Sequence, residues 1–204
     1  MESIMETPTL DLIQQGLEKA MSYQEYKELV KQHVENGTNT GPEVTESLAQ
    51  YTLLNDRRMK RWAKTFKLDE ATRAQIAKRD KPLTWLVLTE SWCGDAAHAT
   101  PIMDAFVQEN PNIELKILLR DENLELMDAF LTQGARSIPK LIAFDNTRKE
   151  LLGSWGPRPT LATAMVNIFK AEHGKLTPEF KQDLQVWYNK DKGKAIAADL
   201  LELL

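Results

Sequence analysis

The stretch Leu83-Thr-Trp-Leu-Val-Leu-Thr89, running on into Glu90-Ser-Trp-Cys-Gly-Asp-Ala96, decides how the chain is read. Seven residues of aliphatic, aromatic and β-branched character, with Pro82 ahead and polar residues behind, are what a strand buried on both faces presents. Working outward, the periodicity predicts a helix over 93–109, a strand over 113–119 and a helix over 121–133. Strands over 140–144 and 149–155 and a helix over 159–172 complete the pattern. The helix between the first two strands makes them parallel, and the short Asp145-Asn-Thr-Arg148 connection makes the last two an antiparallel hairpin. The expected class is α/β, a mixed four-stranded central sheet with helices on both faces.

On either side of this core the pattern is helical. Leu10 to Ala20 is one helix, and Ser22-Tyr-Gln-Glu25 reads as a capping box opening a second that runs to Gly37. Thr40-Gly-Pro-Glu43 opens a third, with Val44, Leu48, Tyr51, Leu54 and Trp62 on its apolar side, and Asp69 caps a short helix ending near Arg79. No strand signal precedes Pro82. After Gly174, Thr177-Pro178-Glu179 starts a helix over 178–190, and Lys192-Gly193 separates it from another over 194–203. The expected organisation is a helical N-terminal extension (1–80), an α/β domain (81–174) and a C-terminal helical tail (175–204), whose apolar Leu200-Leu-Glu-Leu-Leu204 end calls for packing.

Composition narrows the class. The 204 residues are 42% hydrophobic and 27% charged, which excludes collagen-like and disordered chains. Lys plus Arg is 26 against 30 for Asp plus Glu, a net charge of −4, so neither nucleic acid nor an anionic membrane is the expected partner. No stretch approaches the roughly 18 apolar residues of a membrane span, and the start M-E-S-I-M-E-T-P-T-L lacks the basic lead and apolar run of a secretory signal. The expected location is the cytoplasm. Cys93 is the one cysteine, and His33, His98 and His173 are widely scattered, so neither an internal disulfide nor a Cys/His metal site is expected.

Trp92-Cys93-Gly94-Asp95 follows a parallel strand, Pro101 lies inside the next helix, and Arg136-Ser-Ile-Pro139 precedes another strand. In these features the sequence resembles the thioredoxin-like superfamily from 83 to 172. The resemblance implies that Cys93 is the nucleophile, and that a cis Pro139 presents the backbone of Ile138 to an extended substrate beside it. It implies that Trp92, Gly94 and Asp95 shape the approach, and that Trp155 and Gly156 border the site. Arg158 would then hold a carboxylate of the kind a thiol tripeptide supplies. Two positions depart from the family's pattern: Ala96 stands where the second cysteine of C-x-x-C would be, and Val87 where a buried acid often lies.

The amide ends of a helix stabilise a thiolate by about 0.3–2 kcal/mol, which lowers a thiol of pKa about 8.5 by up to around one and a half units. Asp95 works against this. The expected thiol is moderately activated, more so where Arg136, Lys140 or Arg158 approaches it. Ala96 cannot release a mixed disulfide, so exchange by this chain would be monothiol. Two readings stand. One is a monothiol thiol-disulfide oxidoreductase of cell redox homeostasis, without a bound cofactor. Its mixed disulfide is resolved by an external low-molecular-weight thiol such as glutathione, or by a thiol- or disulfide-containing partner protein. The other is a redox-inactive module that binds a peptide or protein. His98 is expected at the surface, and the basic run Arg57-Arg-Met-Lys-Arg-Trp62 on a solvated helix side with Met59 and Trp62 turned inward.

Overall fold

Leu83–Thr89 is a strand with every residue buried, and Leu83, Trp85, Leu86, Val87 and Leu88 lose all their exposure. Each such side chain contributes about 1.5–3 kcal/mol, so this strand is the natural centre of the core. The computed structural model describes residues 7–204. Residues 1–6, on which part of the signal-sequence argument rests, lie outside them. In chain order the elements are α1 (Thr7–Lys19), β1 (Met21–Ser22), α2 (Tyr23–Asn36), α3 (Glu46–Thr65) and α4 (Glu70–Ile76). Then follow β2 (Leu83–Thr89), α5 (Gly94–Glu109), β3 (Ile113–Leu119), a 3-10 turn (Arg120–Glu122), α6 (Leu124–Asp128) and β4 (Lys140–Asp145). The chain ends with β5 (Glu150–Trp155), α7 (Thr160–His173), α8 (Pro178–Asp191) and α9 (Lys194–Leu201).

The sheet has the order β1-β3-β2-β4-β5. β2 runs parallel to β3 and antiparallel to β4, and β4 and β5 form the antiparallel hairpin. One strand more than expected is present among the described residues. Met21 and Ser22 pair antiparallel with Ile117 and Lys116 at the sheet edge. Two residues are too few to show a strand period, and Ser22 is extended because it also caps α2.

Alternate residues of β2 face two apolar clusters. Leu83, Trp85 and Val87 meet α5 together with Tyr26, Met59, Trp62, Leu184, Ile196 and Leu200 from the flanking helices. Leu86 and Leu88 meet Ile13 of α1 and Leu126 and Met127 of α6. The N- and C-terminal helices therefore share the core of the sheet.

Two helices, α3 and α6, depart most from the pattern read in the sequence. α3 starts at Glu46 with Thr45 as its cap, whereas Thr40 is held in a buried loop. Its inward face is Thr52, Asn55, Asp56, Met59 and Trp62, and Val44, Tyr51 and Leu54 are exposed. The polar face turns inward because it has buried backbone to satisfy. The expected 121–133 helix ends at Asp128, and Gln133 and Gly134 adopt positive φ in the turn that brings the chain to β4.

At the start of α2 the capping box is complete. The Ser22 hydroxyl accepts from the Glu25 amide at 3.2 Å, and the Glu25 carboxylate accepts from the Ser22 amide at 2.7 Å. Ser22→Ala removes the acceptor and leaves a first-turn amide unmet, so it should lower stability by about 1 kcal/mol in urea unfolding.

Candidate functional site

Cys93 is the N-cap of α5 at the end of a loop that descends from β2. The loop is covered, with Glu90, Ser91 and Cys93 at 0%, 1% and 7% exposure. Its polar groups are met from α3 and the segment before it. The Thr40 hydroxyl accepts from the Ser91 amide at 2.8 Å, the Asn55 side-chain amide donates to the Ser91 carbonyl at 3.0 Å, and the Thr52 hydroxyl bonds the Ser91 hydroxyl at 2.8 Å. The Glu90 carboxylate accepts from the Thr40 hydroxyl and, at 2.9 Å, from the Asp121 amide. Burial raises its pKa against these bonds.

Around the sulfur the chain brings together most of the expected residues. The Cys93 thiol donates to the carbonyl of Ile138 at 3.2 Å, and the Ile138–Pro139 bond is cis. Gly156, at φ +115, lies against the same strand end, where a Cβ would fall 2.0 Å from the Pro139 carbonyl oxygen; only glycine fits this approach. Trp92 is half-buried, its indole N–H donating to Thr40 O at 3.2 Å with the Arg120 guanidinium over its ring. Gly94 is half-buried beside Arg58 of α3.

Asp95 is tied down twice. Arg158 pairs with it at 2.8 Å, and the Tyr188 hydroxyl of α8 donates to it at 3.0 Å. Arg158 is thus engaged by the protein's own carboxylate. Trp155 is also turned away from the role expected for it: buried, it donates its indole N–H to Asp199 of α9 at 2.9 Å and anchors that helix. Of the other cations considered, Arg136 is paired with Asp128 at 2.6 Å.

The expected activated thiol is overturned. Burial, followed by the charge of Asp95, pushes the Cys93 thiol up to about 12. The Ala96 and Asp95 amides and the Arg158 charge pull the other way and lose.

His98 is not at the surface but 1% exposed, stacked on Tyr188 with ring centroids 4.2 Å apart. The Trp62 indole donates to its Nδ1 at 2.7 Å, which leaves the proton on Nε2 to donate to Gln185 at 2.8 Å. Burial lowers its pKa to about 4. Trp62–His98–Tyr188–Asp95 is therefore a continuous packed line from α3 through α5 and α8 to the thiol. Thr40 was read as opening a helix and Arg58 as part of a solvated basic run, and Tyr188 gave no signal in the sequence, since each reaches the site from a distant element. Among the described residues no group of three or more His, Cys, Asp or Glu side chains could hold a metal ion, and no helix is long and apolar enough to cross a membrane.

A family model described as thioredoxin matches residues 41–175. The chain belongs to the thioredoxin family. Among the solved structures similar to it are the following two. One is a 1.5 Å crystal structure of a protein of unknown function from Pseudomonas aeruginosa, 20% identical over 74% of this chain and 83% of that one, with a TM-score of 0.55. The other is the crystal structure of an HIV epitope-scaffold, 18% identical over 90% of this chain and 97% of that one, with a TM-score of 0.54. At these identities the likeness shows the fold alone. No curated protein matches the sequence. The family match takes in α3, the sheet from β2 to β5 and α7, and so includes Cys93, Pro139 and Arg158.

Two outcomes follow from this geometry. Asp95→Asn removes the charge that opposes the thiolate and frees Arg158 to act on it, so the Cys93 thiol should fall by more than about one unit, read as thiolate absorbance against pH. His98 is neutral when folded, with a pKa near 4, and about 6.5 when unfolded, so its contribution is intact above about 6.5 and lost as pH falls toward 4. Urea unfolding should lose about 3 kcal/mol of His98-dependent stability over that window. The dependence should be absent from the difference curve of His98→Asn.

Proposed function

We propose that this thioredoxin-family chain is a binding module, which takes an extended polypeptide segment beside Ile138 and Pro139 without exchanging a disulfide with it. The observation that carries the reading is the setting of Cys93, covered and with its sulfur 3.2 Å from the carbonyl oxygen of Ile138, to which a thiol donates. Exchange requires a thiolate. With burial and the charge of Asp95 pushing the thiol up to about 12, the thiolate is scarce at pH 7. An ordinary cysteine offers a few per cent.

The segment ahead of β4 supports the binding half of the proposal. Among the described residues the Ile138 amide has no hydrogen-bond partner. An unpaired amide at a strand end is what an added extended segment bonds to, with neighbouring side chains supplying selectivity. Trp92 lies on the loop that carries Cys93 and Gly94 begins α5, and both keep part of their surface open.

The second reading is monothiol thiol-disulfide exchange, with glutathione or a partner thiol resolving the mixed disulfide. One observation favours it: the amides of Asp95 and Ala96 and the charge of Arg158 all act to stabilise a Cys93 thiolate. It requires that the sulfur first be uncovered and the charge of Asp95 moved away from it.

Iodoacetamide labelling of Cys93 from about pH 6 to about pH 11 separates the two. The binding reading expects a rate at pH 7 more than about a hundredfold below that of free cysteine, rising to the top of the range, with no adduct from glutathione disulfide. A free-thiol rate, with a glutathione adduct that glutathione reverses, would overturn it in favour of exchange.

A further inference from the structure

Away from the cysteine, the C-terminal end of α3, the 66–69 loop and the α8–α9 turn enclose a cavity of about 750 Å³. This lies inside the ~300–1,000 Å³ range of small-molecule sites. Its floor is apolar, made by Trp62, Phe66, Leu68 and Leu201, of which Trp62 is 5% exposed and the other three partly buried.

The rim is cationic. Arg61, Lys67, Lys192 and Lys194 line it, all exposed, and none is in an ion pair among the described residues. Arg61 donates to the neutral amide of Asn189 at 2.7 Å, and its guanidinium lies over the Trp62 ring, 5.5 Å from the centroid. The one acid on the rim, Asp69, directs its carboxylate to the Thr72 amide at 2.7 Å as the cap of α4. Four cations thus face one carboxylate across an apolar floor, in a chain whose net charge is −4.

The backbone places two of those cations. Lys192 and Gly193 are consecutive left-handed residues, at φ 57 and φ 80. A Cβ at Gly193 would lie 2.6 Å from the Ile102 side chain, so only glycine permits the turn. The residues on either side of that glycine, Lys192 and Lys194, both line the rim.

We infer that this cavity binds a small amphiphile with an anionic head and an apolar tail, of the class of a medium-chain carboxylate. The head meets the Lys67, Lys192 and Lys194 ammonium groups, and the tail covers the partly exposed Phe66, Leu68 and Leu201. A simple inorganic anion would leave that floor wet. A nucleotide base would need edge partners, whereas Thr65, Thr72 and Asn189 are the neutral polar side chains in the lining, and the Asn189 carbonyl is already taken by Arg61. The inference does not depend on the state of Cys93.

Titration calorimetry of the whole chain with sodium decanoate, below its micelle concentration and at low salt, tests it. Decanoate should bind saturably at one site, while decanol and acetate bind at least about tenfold more weakly, and added salt should weaken decanoate. Lys67→Glu/Lys194→Glu should cost at least about a further tenfold. Ala198→Trp, which fills the lining from the exposed side of α9, should abolish binding and decides the matter if the charge reversal disturbs folding, as read by circular dichroism. No saturable heat up to about 1 mM decanoate, equal affinity for decanol, or unchanged affinity in both variants would overturn the proposal.

Discussion

A loop placed between a sheet and its covering helices can be buried only if its amides and carbonyls are met from within the protein, because water cannot reach them. Residues 90–93 are such a loop, and the rest of the molecule is arranged around that demand. Here Thr40, Thr52 and Asn55 satisfy the amide, hydroxyl and carbonyl of Ser91, and Thr40 and the Asp121 amide satisfy Glu90. The helices before β2 are therefore part of the site. The same holds at the other end of the chain, where Tyr188 of α8 fixes Asp95 and Gln185 fixes His98.

Burial also decides the electrostatics of the sulfur. The amides at the start of α5 do act on Cys93, as the helix dipole requires, and so does Arg158. Their effect is bounded at about 2 kcal/mol, whereas removing a thiolate from water shifts a pKa by up to roughly 3–5 units. Asp95 adds repulsion. Arg158 cannot compensate, because its guanidinium is shared with the carboxylate it neutralises. A helix start is an activating position only for a thiol that remains wet, and covering this one reverses the sign of the net effect.

The division between what the sequence disclosed and what it withheld follows sequence separation. β2, β3 and the β4–β5 hairpin were legible because an apolar run, a turn and a helix period are local patterns, and the Ser22–Glu25 box is complete within four residues. β1 was not, being two residues long. Met59 and Trp62 of α3 face inward as read, but the first half of that face was misread because Thr52 and Asn55 answer a loop 36 to 39 positions away, a need no periodicity records. His98 reads as a surface histidine until Trp62 and Gln185 are seen on its two nitrogens. Tyr188 lies 93 positions from the aspartate it holds. The identity of the cysteine, the glycine and the proline could be read, but their state could not.

The absence of a second sulfur and the covering of the first make sense together. In a monothiol protein a mixed disulfide has no internal exit, so every encounter with an oxidised thiol would leave an adduct until an outside thiol removed it. Ala96, 2% exposed and in the same apolar cluster as Cys93, takes away the exit. The thiol's donation to Ile138 O takes away the entrance, since that bond exists only while the proton stays on sulfur. What is left at position 93 is a small, weakly polar side chain that fills space and joins the α5 start to the strand end beside it. Such a joint holds the Cys93 loop and the Ile138 segment in one fixed relation, as the proposed recognition of an extended chain would require. The same rigidity would work against a nucleophile that has to reach a disulfide bond.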